Sequence, residues 1–182
     1  MDIKRLLEVM DRFLEDYPLA GDLKLTSHTL IDNGNEFYNP NAKTPEGMGT
    51  FMGKIITSGI GTRTEGSKFH KGLDLKYSFG TDVYAFNDGL VSLASPCGGF
   101  GRLIIIKDSK GYQHLYAHLS QINVKVGQKI IKGDLIGKSG GSKVTNGMII
   151  ERGWNPHLHY GIWKPNTNSD GTGAIDPRTY DY

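Results

Sequence analysis

From about residue 51 onward the chain repeats one pattern, a short apolar run closed by a glycine-bearing turn. GKIITSG, TDVYAF, GLVSLA, RLIIIKD, YQHLYAHL, INVKV, DLIGKSG and LHYGIW all follow it. Runs this short, rich in Val, Ile and aromatic residues and bounded by turn formers, predict strands. Their succession, with no helical segment between them, predicts a mainly β fold: an antiparallel sheet, sandwich-like or barrel-like. The N-terminus reads differently. In MDIKRLLEVMDRFLEDYPL, Ile3, Leu6, Leu7, Met10, Phe13 and Leu14 recur at helical spacing with charges between them, which predicts a short amphipathic helix ending before Pro18. Residues 18 to 50 combine a candidate strand, LKLTSHTLI, with the turn-rich NGNEFYNPNAKTPEGMG. The expected organisation is therefore a helix and arm over residues 1–50 and one β domain over residues 51–182.

Bulk properties narrow the picture modestly. A chain of 182 residues suits one domain plus an appendage, and its net charge of +2 is too small to imply a nucleic-acid partner. The N-terminus lacks the apolar core of a signal peptide, and no run approaches the roughly 18 apolar residues that cross a membrane, so membrane insertion is not expected. Cys97 is the only cysteine, which excludes an intramolecular disulfide and a cysteine-based metal site; it is expected as a buried thiol. Gly59, Gly61, Gly72, Gly80, Gly89, Gly111, Gly127, Gly133, Gly137 and Gly140 are expected mostly at turns needing positive φ.

Histidines change the picture most. Five of the six fall in three short clusters, with His28 alone in the N-terminal arm and expected at the surface. In WNPHLHYGIW, strand alternation projects His157 and His159 from one face and sends Leu158, Tyr160 and Ile162 into a core. Such a pair suggests a metal site, a catalytic pair or coincidence. In HLYAHLS, the same alternation puts His114, Tyr116 and His118 on one face, with Leu115, Ala117 and Leu119 on the other. In FHKGLDL, a turn brings His70 and Asp74 within reach of one another. Each cluster alone has a bland reading as a polar face or a loop. Together, a His-x3-Asp pair and one histidine of an HxH supply a two-histidine, one-aspartate ligand set and leave imidazoles to move protons. The chemistry implied is hydrolysis by a metal-activated water.

Residues 55 to 178 resemble the lysostaphin-type (LytM-like) zinc endopeptidases, which cut peptide bonds in bacterial peptidoglycan. The resemblance runs in order through IITSGIGTR, HKGLDL, GTDVYAFNDGLV, GFGRLIIIKDSKGYQHLYAHLS, VKVGQKIIKGDLIGKSG, HLHYGIW and IDP. It implies an antiparallel sheet with the active site in a groove along one face, and one Zn2+ per chain. His70, Asp74 and His159 would be the zinc ligands, with His118 and His157 as the catalytic histidines. His114 would be a groove-wall residue, whereas Arg63 and Tyr116 are expected in surface or packing roles. The partner implied is peptidoglycan, met outside the cytoplasm or from a virion, with residues 1–50 available to virion partners or as a cover that keeps the site latent. Some members of the family lose motif residues and, as adaptors, only bind wall or activate another hydrolase; here all five motif residues are present, which favours the enzyme. A structural phage tail part carrying this domain as a wall-penetrating tip is compatible with that reading. One departure stands out. Between GKSGG and HLH, relatives carry a short glycine- and serine-rich loop, and here the longer KVTNGMIIERGWNP predicts an added hairpin or a partner contact.

Overall fold

The structure, a computed structural model, describes residues 48–62, 69–165 and 173–182. The expected N-terminal helix, His28 and Arg63 lie outside these residues.

The described residues form an antiparallel β fold, as the apolar runs imply, with single-turn 3-10 segments as their only helix. In chain order the strands are β1 (Thr50–Phe51), β2 (Lys54–Ser58), β3 (Gly61–Thr62), β4 (Phe69–His70), β5 (Leu73–Leu75), β6 (Asp82–Tyr84) and β7 (Gly89–Cys97). After a 3-10 turn at Gly98–Phe100 come β8 (Gly101–Lys107), β9 (Gln113–Ile122), β10 (Lys129–Ile130), β11 (Leu135–Ser139), β12 (Lys143–Thr145), β13 (Met148–Ile150), β14 (Leu158–Trp163) and β15 (Ala174–Ile175). The main sheet runs β1-β2-β5-β14-β9-β8-β7-β10, while β11 joins β6 to β9 and β15 lies on β14. INVKV, expected as a strand, contributes only Ile122 to β9; its remainder enters a turn in which Gly127 has φ +83°.

The central strands bury both faces, so they read as near-continuous apolar runs rather than alternating ones. Ile104 and Ile106 of β8 pack with Tyr116, Leu158, Tyr160 and Ile162 in the larger core. Leu103 and Ile105 point the other way, onto Leu115, Ala117 and Trp163. Leu158, Tyr160 and Ile162 thus enter a core together, as their alternation predicts.

The alternation expected for β9 breaks at His118. Leu115 and Ala117 belong to one face but Leu119 packs in the core of the other, with Tyr116. The pairing with β8 slips over this stretch, from Arg102 opposite Leu119 to Ile104 opposite Tyr116. His118 itself has φ +60°, the left-handed conformation that inserts an extra residue as a β-bulge. The same position is a handover: β9 pairs with β14 through residue 117 and with β11 from residue 119. His118 therefore leaves the face of His114 and Tyr116 and joins that of His159.

Candidate active site

Asp74 of β5 and His159 of β14 are directly opposite in the pairing register, and His70 ends β4 one turn earlier. Gly72 makes that turn possible: a Cβ there would lie 2.4 Å from the Tyr160 carbonyl oxygen and 3.0 Å from the His159 ring. Gly72 serves close approach rather than positive φ. Only Gly61, Gly80, Gly111, Gly127 and Gly133 of the ten expected turn glycines have the left-handed φ. The other five correct that expectation.

The three side chains converge. Asp74 Oδ1 lies 3.1 Å from His70 Nε2 and 2.9 Å from His159 Nδ1, and the two ring nitrogens are 3.0 Å apart. All three residues are buried. A tetrahedral divalent ion with bonds of about 2.1 Å would hold its ligand atoms roughly 3.3 Å apart, so this donor set fits a metal ion with little movement. The orientation of His70 agrees. Its Nδ1 donates to the Gly59 carbonyl at 2.7 Å, which leaves the Nε2 lone pair facing the cluster, the usual outer-shell support of a ligating imidazole. Burial pushes His159 down to about 4 against the opposing pull of Asp74, so its ring is neutral near pH 7. Asp74 is ionised: burial raises its carboxyl, but the imidazoles of His70, His157 and His159 around it outweigh that and hold it well below the usual range.

His118 and His157 stand beside this cluster with their rings 4.6 Å apart, and the His118 ring is 5.9 Å from that of His159. His118 Nδ1 donates to the Ser142 carbonyl at 3.0 Å, and His157 Nδ1 donates to the Asn155 carbonyl at 2.6 Å. A carbonyl only accepts, so each ring carries its proton on Nδ1 and presents a bare Nε2. His157 Nε2 lies 3.8 Å from Asp74 Oδ1. Burial, reinforced by His157 and His159, pushes His118 well below its ordinary value. All five histidine and aspartate positions singled out in the motifs are thus brought together.

A model of peptidase family M23 matches residues 68–177. The chain belongs to this family. M23 proteins are metallopeptidases, and the cluster of His70, Asp74 and His159 is the candidate metal site that membership calls for. Among curated relatives, an uncharacterized metalloprotease of Haemophilus influenzae is 41% identical over 92 residues, half of this chain and 18% of that protein. The peptidoglycan DD-endopeptidase ShyA of Vibrio cholerae is 37% identical over 91 residues, half of this chain and 19% of that protein. Among solved structures, the catalytic domain of lysostaphin from Staphylococcus simulans superposes with a TM-score of 0.57 at 29% identity, over 69% of this chain and 90% of the domain. The catalytic domain of the prophage-encoded EnpA from Enterococcus faecalis gives 0.55 at 27%, over 73% and 95%.

His114 is corrected. It is fully buried on the opposite face, where Nε2 donates to Asp108 Oδ2 at 3.1 Å and Nδ1 accepts from the Tyr160 hydroxyl at 2.7 Å. Asp108 also accepts from the Tyr180 hydroxyl and the Tyr112 amide, so this network ties the C-terminal segment to the back of β14. Tyr116 packs as expected, its hydroxyl accepting from Phe86 N and donating to Asn87. Cys97 is half-buried, and burial raises its thiol to about 11.

Sequence reasoning missed Ser142 and took Trp154 only as one apolar residue of the longer connection beside the metal site. Ser142 is buried; its Oγ accepts from Arg102 N at 2.9 Å and donates to the Leu119 carbonyl at 2.6 Å, while its own carbonyl takes the His118 Nδ1 proton. Gly101 admits it, since a Cβ there would lie 2.1 Å from the Ser142 oxygen. Trp154 packs its ring 6.0 Å from that of His118. No local pattern marks either residue. The long connection does form an added hairpin, β12–β13, turned by Asn146 and Gly147 with φ +52° and +73°. Two successive positive φ values are the I′ signature that Asn-Gly favours.

Proposed function

We propose that this chain is a zinc-dependent endopeptidase that hydrolyses peptide bonds in bacterial peptidoglycan. The observation that carries the reading is the convergence of three buried ligand atoms within about 3 Å of one another, with two oriented histidines on the same face. His70, Asp74 and His159 would hold the ion, and their two nitrogens and one carboxylate oxygen match zinc's preferences. When bound, the ion supplies Lewis acidity, polarising a carbonyl and bringing the pKa of a water toward neutrality.

The remaining chemistry belongs to the protein. His118 Nε2, left bare by the bond from Nδ1 to Ser142, accepts the proton of the attacking water. His118 then releases the water's proton to solvent. His157, after taking a proton from solvent on Nε2, hydrogen-bonds the carbonyl oxygen that gains charge and then gives that proton to the leaving amine. Asp74 beside it stabilises that imidazolium. Residues 51–182 form the catalytic unit, and action on the wall places the site of work outside the cytoplasm. The prophage origin of the EnpA neighbour supports a phage-associated lysin, with residues 1–50 as the segment that meets virion partners.

Glycine-bridged and directly linked peptidoglycan, incubated with the full chain with and without a strong chelator, would be read by mass spectrometry for new peptide termini. Termini that vanish with chelator and return with zinc are the expected result. Intact walls beside stoichiometric zinc binding would overturn hydrolysis in favour of an adaptor.

A further inference from the structure

The segment from residue 143 to 156 carries three charged side chains, Lys143, Glu151 and Arg152. Glu151 is already neutralised, accepting two hydrogen bonds from the Arg102 guanidinium at 2.7 and 2.6 Å. The two cations form no ion pair among the described residues. Each instead rests on an aromatic face: Lys143 Nζ lies 5.1 Å from the centre of the Trp154 ring, and the Arg152 guanidinium 4.7 Å from that of Phe79. Gly153 lets the lysine lie flat, because a Cβ there would stand 2.3 Å from Lys143 Cγ. An ammonium seated on a ring is pre-positioned yet keeps its donors for another partner.

The Trp154 ring lies on the catalytic side of the site, and the Arg152 backbone is bridged to Gly141, next to the Gly140 that is bridged to His157. Trp154 packs on His118, which puts the Lys143 ammonium no farther than about 11 Å from the His118 ring, the span of roughly three extended residues. Phe79 sits beside Gly80, whose amide donates to the Ser139 carbonyl. The next residue, Gly140, is bridged to His157.

We propose that Lys143 and Arg152 form a carboxylate-binding subsite next to the reacting centre. The peptide cleaved would then carry a free carboxylate within about three residues of the scissile bond, which a neutral glycine bridge lacks. This deepens, and rests on, the peptidoglycan endopeptidase reading.

Two synthetic cross-linked peptide dimers, identical except that one has a free carboxylate and the other a carboxamide beside the scissile bond, separate the possibilities. An oligoglycine peptide amidated at its C-terminus, and so free of carboxylate, serves as a third substrate. With the zinc-loaded full chain, the free acid should be favoured by about tenfold in kcat/KM, chiefly through KM, as one or two charge-assisted hydrogen bonds near solvent would give. The Lys143→Gln/Arg152→Gln double variant should bring that ratio near one, and Lys143→Glu should favour the carboxamide. Calorimetric binding of the same peptides to the chelator-treated chain should show the same preference without turnover. Equal use of acid and amide by the unaltered chain, preference for oligoglycine, or a ratio that survives the double variant would overturn the subsite. Failure to cut any peptide would instead count against hydrolysis, and the calorimetric ratio would still decide the subsite.

Discussion

Replacing Ser142 with alanine tests whether the bulge at His118 is held from outside β9. The substitution leaves the backbone carbonyl that receives the His118 Nδ1 proton but deletes the Oγ that joins Arg102 N to the Leu119 carbonyl. Two hydrogen bonds are lost at about 0.5–1.5 kcal/mol each, and an amide left without a partner away from water costs about 1–3 kcal/mol. The expected destabilisation is about 2–3 kcal/mol, because the orphaned Arg102 amide recovers part of its loss through relaxation or water. Urea denaturation should show the midpoint shift at unchanged m-value. With β8 and β9 loosened at this point, the left-handed His118 can relax toward ordinary strand geometry, which would swing its ring away from His159. Displacing a catalytic group by about 1 Å costs on the order of 100-fold in rate, so kcat on peptidoglycan peptides should fall while KM and zinc affinity hold. The ligands His70, Asp74 and His159 do not depend on Ser142. A stability change under about 0.5 kcal/mol, the ordinary range for a surface substitution, together with unaltered kcat would refute the reasoning.

Other perturbations probe the cluster and the opposite face. Gly72→Ala forces a Cβ to 2.4 Å from the Tyr160 carbonyl oxygen; equilibrium dialysis should show zinc binding weakened at least tenfold, since the turn carrying His70 must back away from β14, and retained affinity would contradict the close-approach account. Saturating zinc at about 1,000 times its dissociation constant should add about 4 kcal/mol of stability that a chelator removes, visible as a fall in Tm; in Asp74→Asn the chelator should change Tm far less. Burial lowers the pKa of His114 against the opposing pull of Asp108. The sign follows: below roughly pH 6.5 the unfolded chain takes up a proton that the folded chain refuses, so stability falls as pH falls toward the folded value. Urea midpoints between roughly pH 7.5 and 5.5 should therefore drop more steeply for the unaltered chain than for His114→Gln, and equal slopes would argue against a neutral His114.

Much of this was legible because it is local. Short apolar runs closed by turn formers announce strands, since β backbone conformation and burial select the same residue types. Alternation was enough to set His159 against the Leu158–Tyr160–Ile162 core in β14, whose pairing with β5 and β9 proceeds without a slip. The Asn-Gly turn of the added hairpin is likewise a property of two adjacent residues.

The amino-acid sequence by itself therefore determined the strand-rich fold, the candidate ligand set and the presence of an insertion beside it. Tertiary structure decided which face each side chain reaches. Strand periodicity placed His114, Tyr116 and His118 together, yet a non-glycine residue adopts φ +60° where β9 passes from β14 to β11. No residue near 118 encodes that bulge, because its compensation comes from Ser142, 24 residues away, and from the room that Gly101 leaves. His114 was misread for the same reason: its partners Asp108, Tyr160 and Tyr180 meet only when the sheet and the C-terminal segment have assembled. Local conformation is written over a few residues, whereas a bulge or a buried polar network is stable only when distant groups supply its hydrogen bonds.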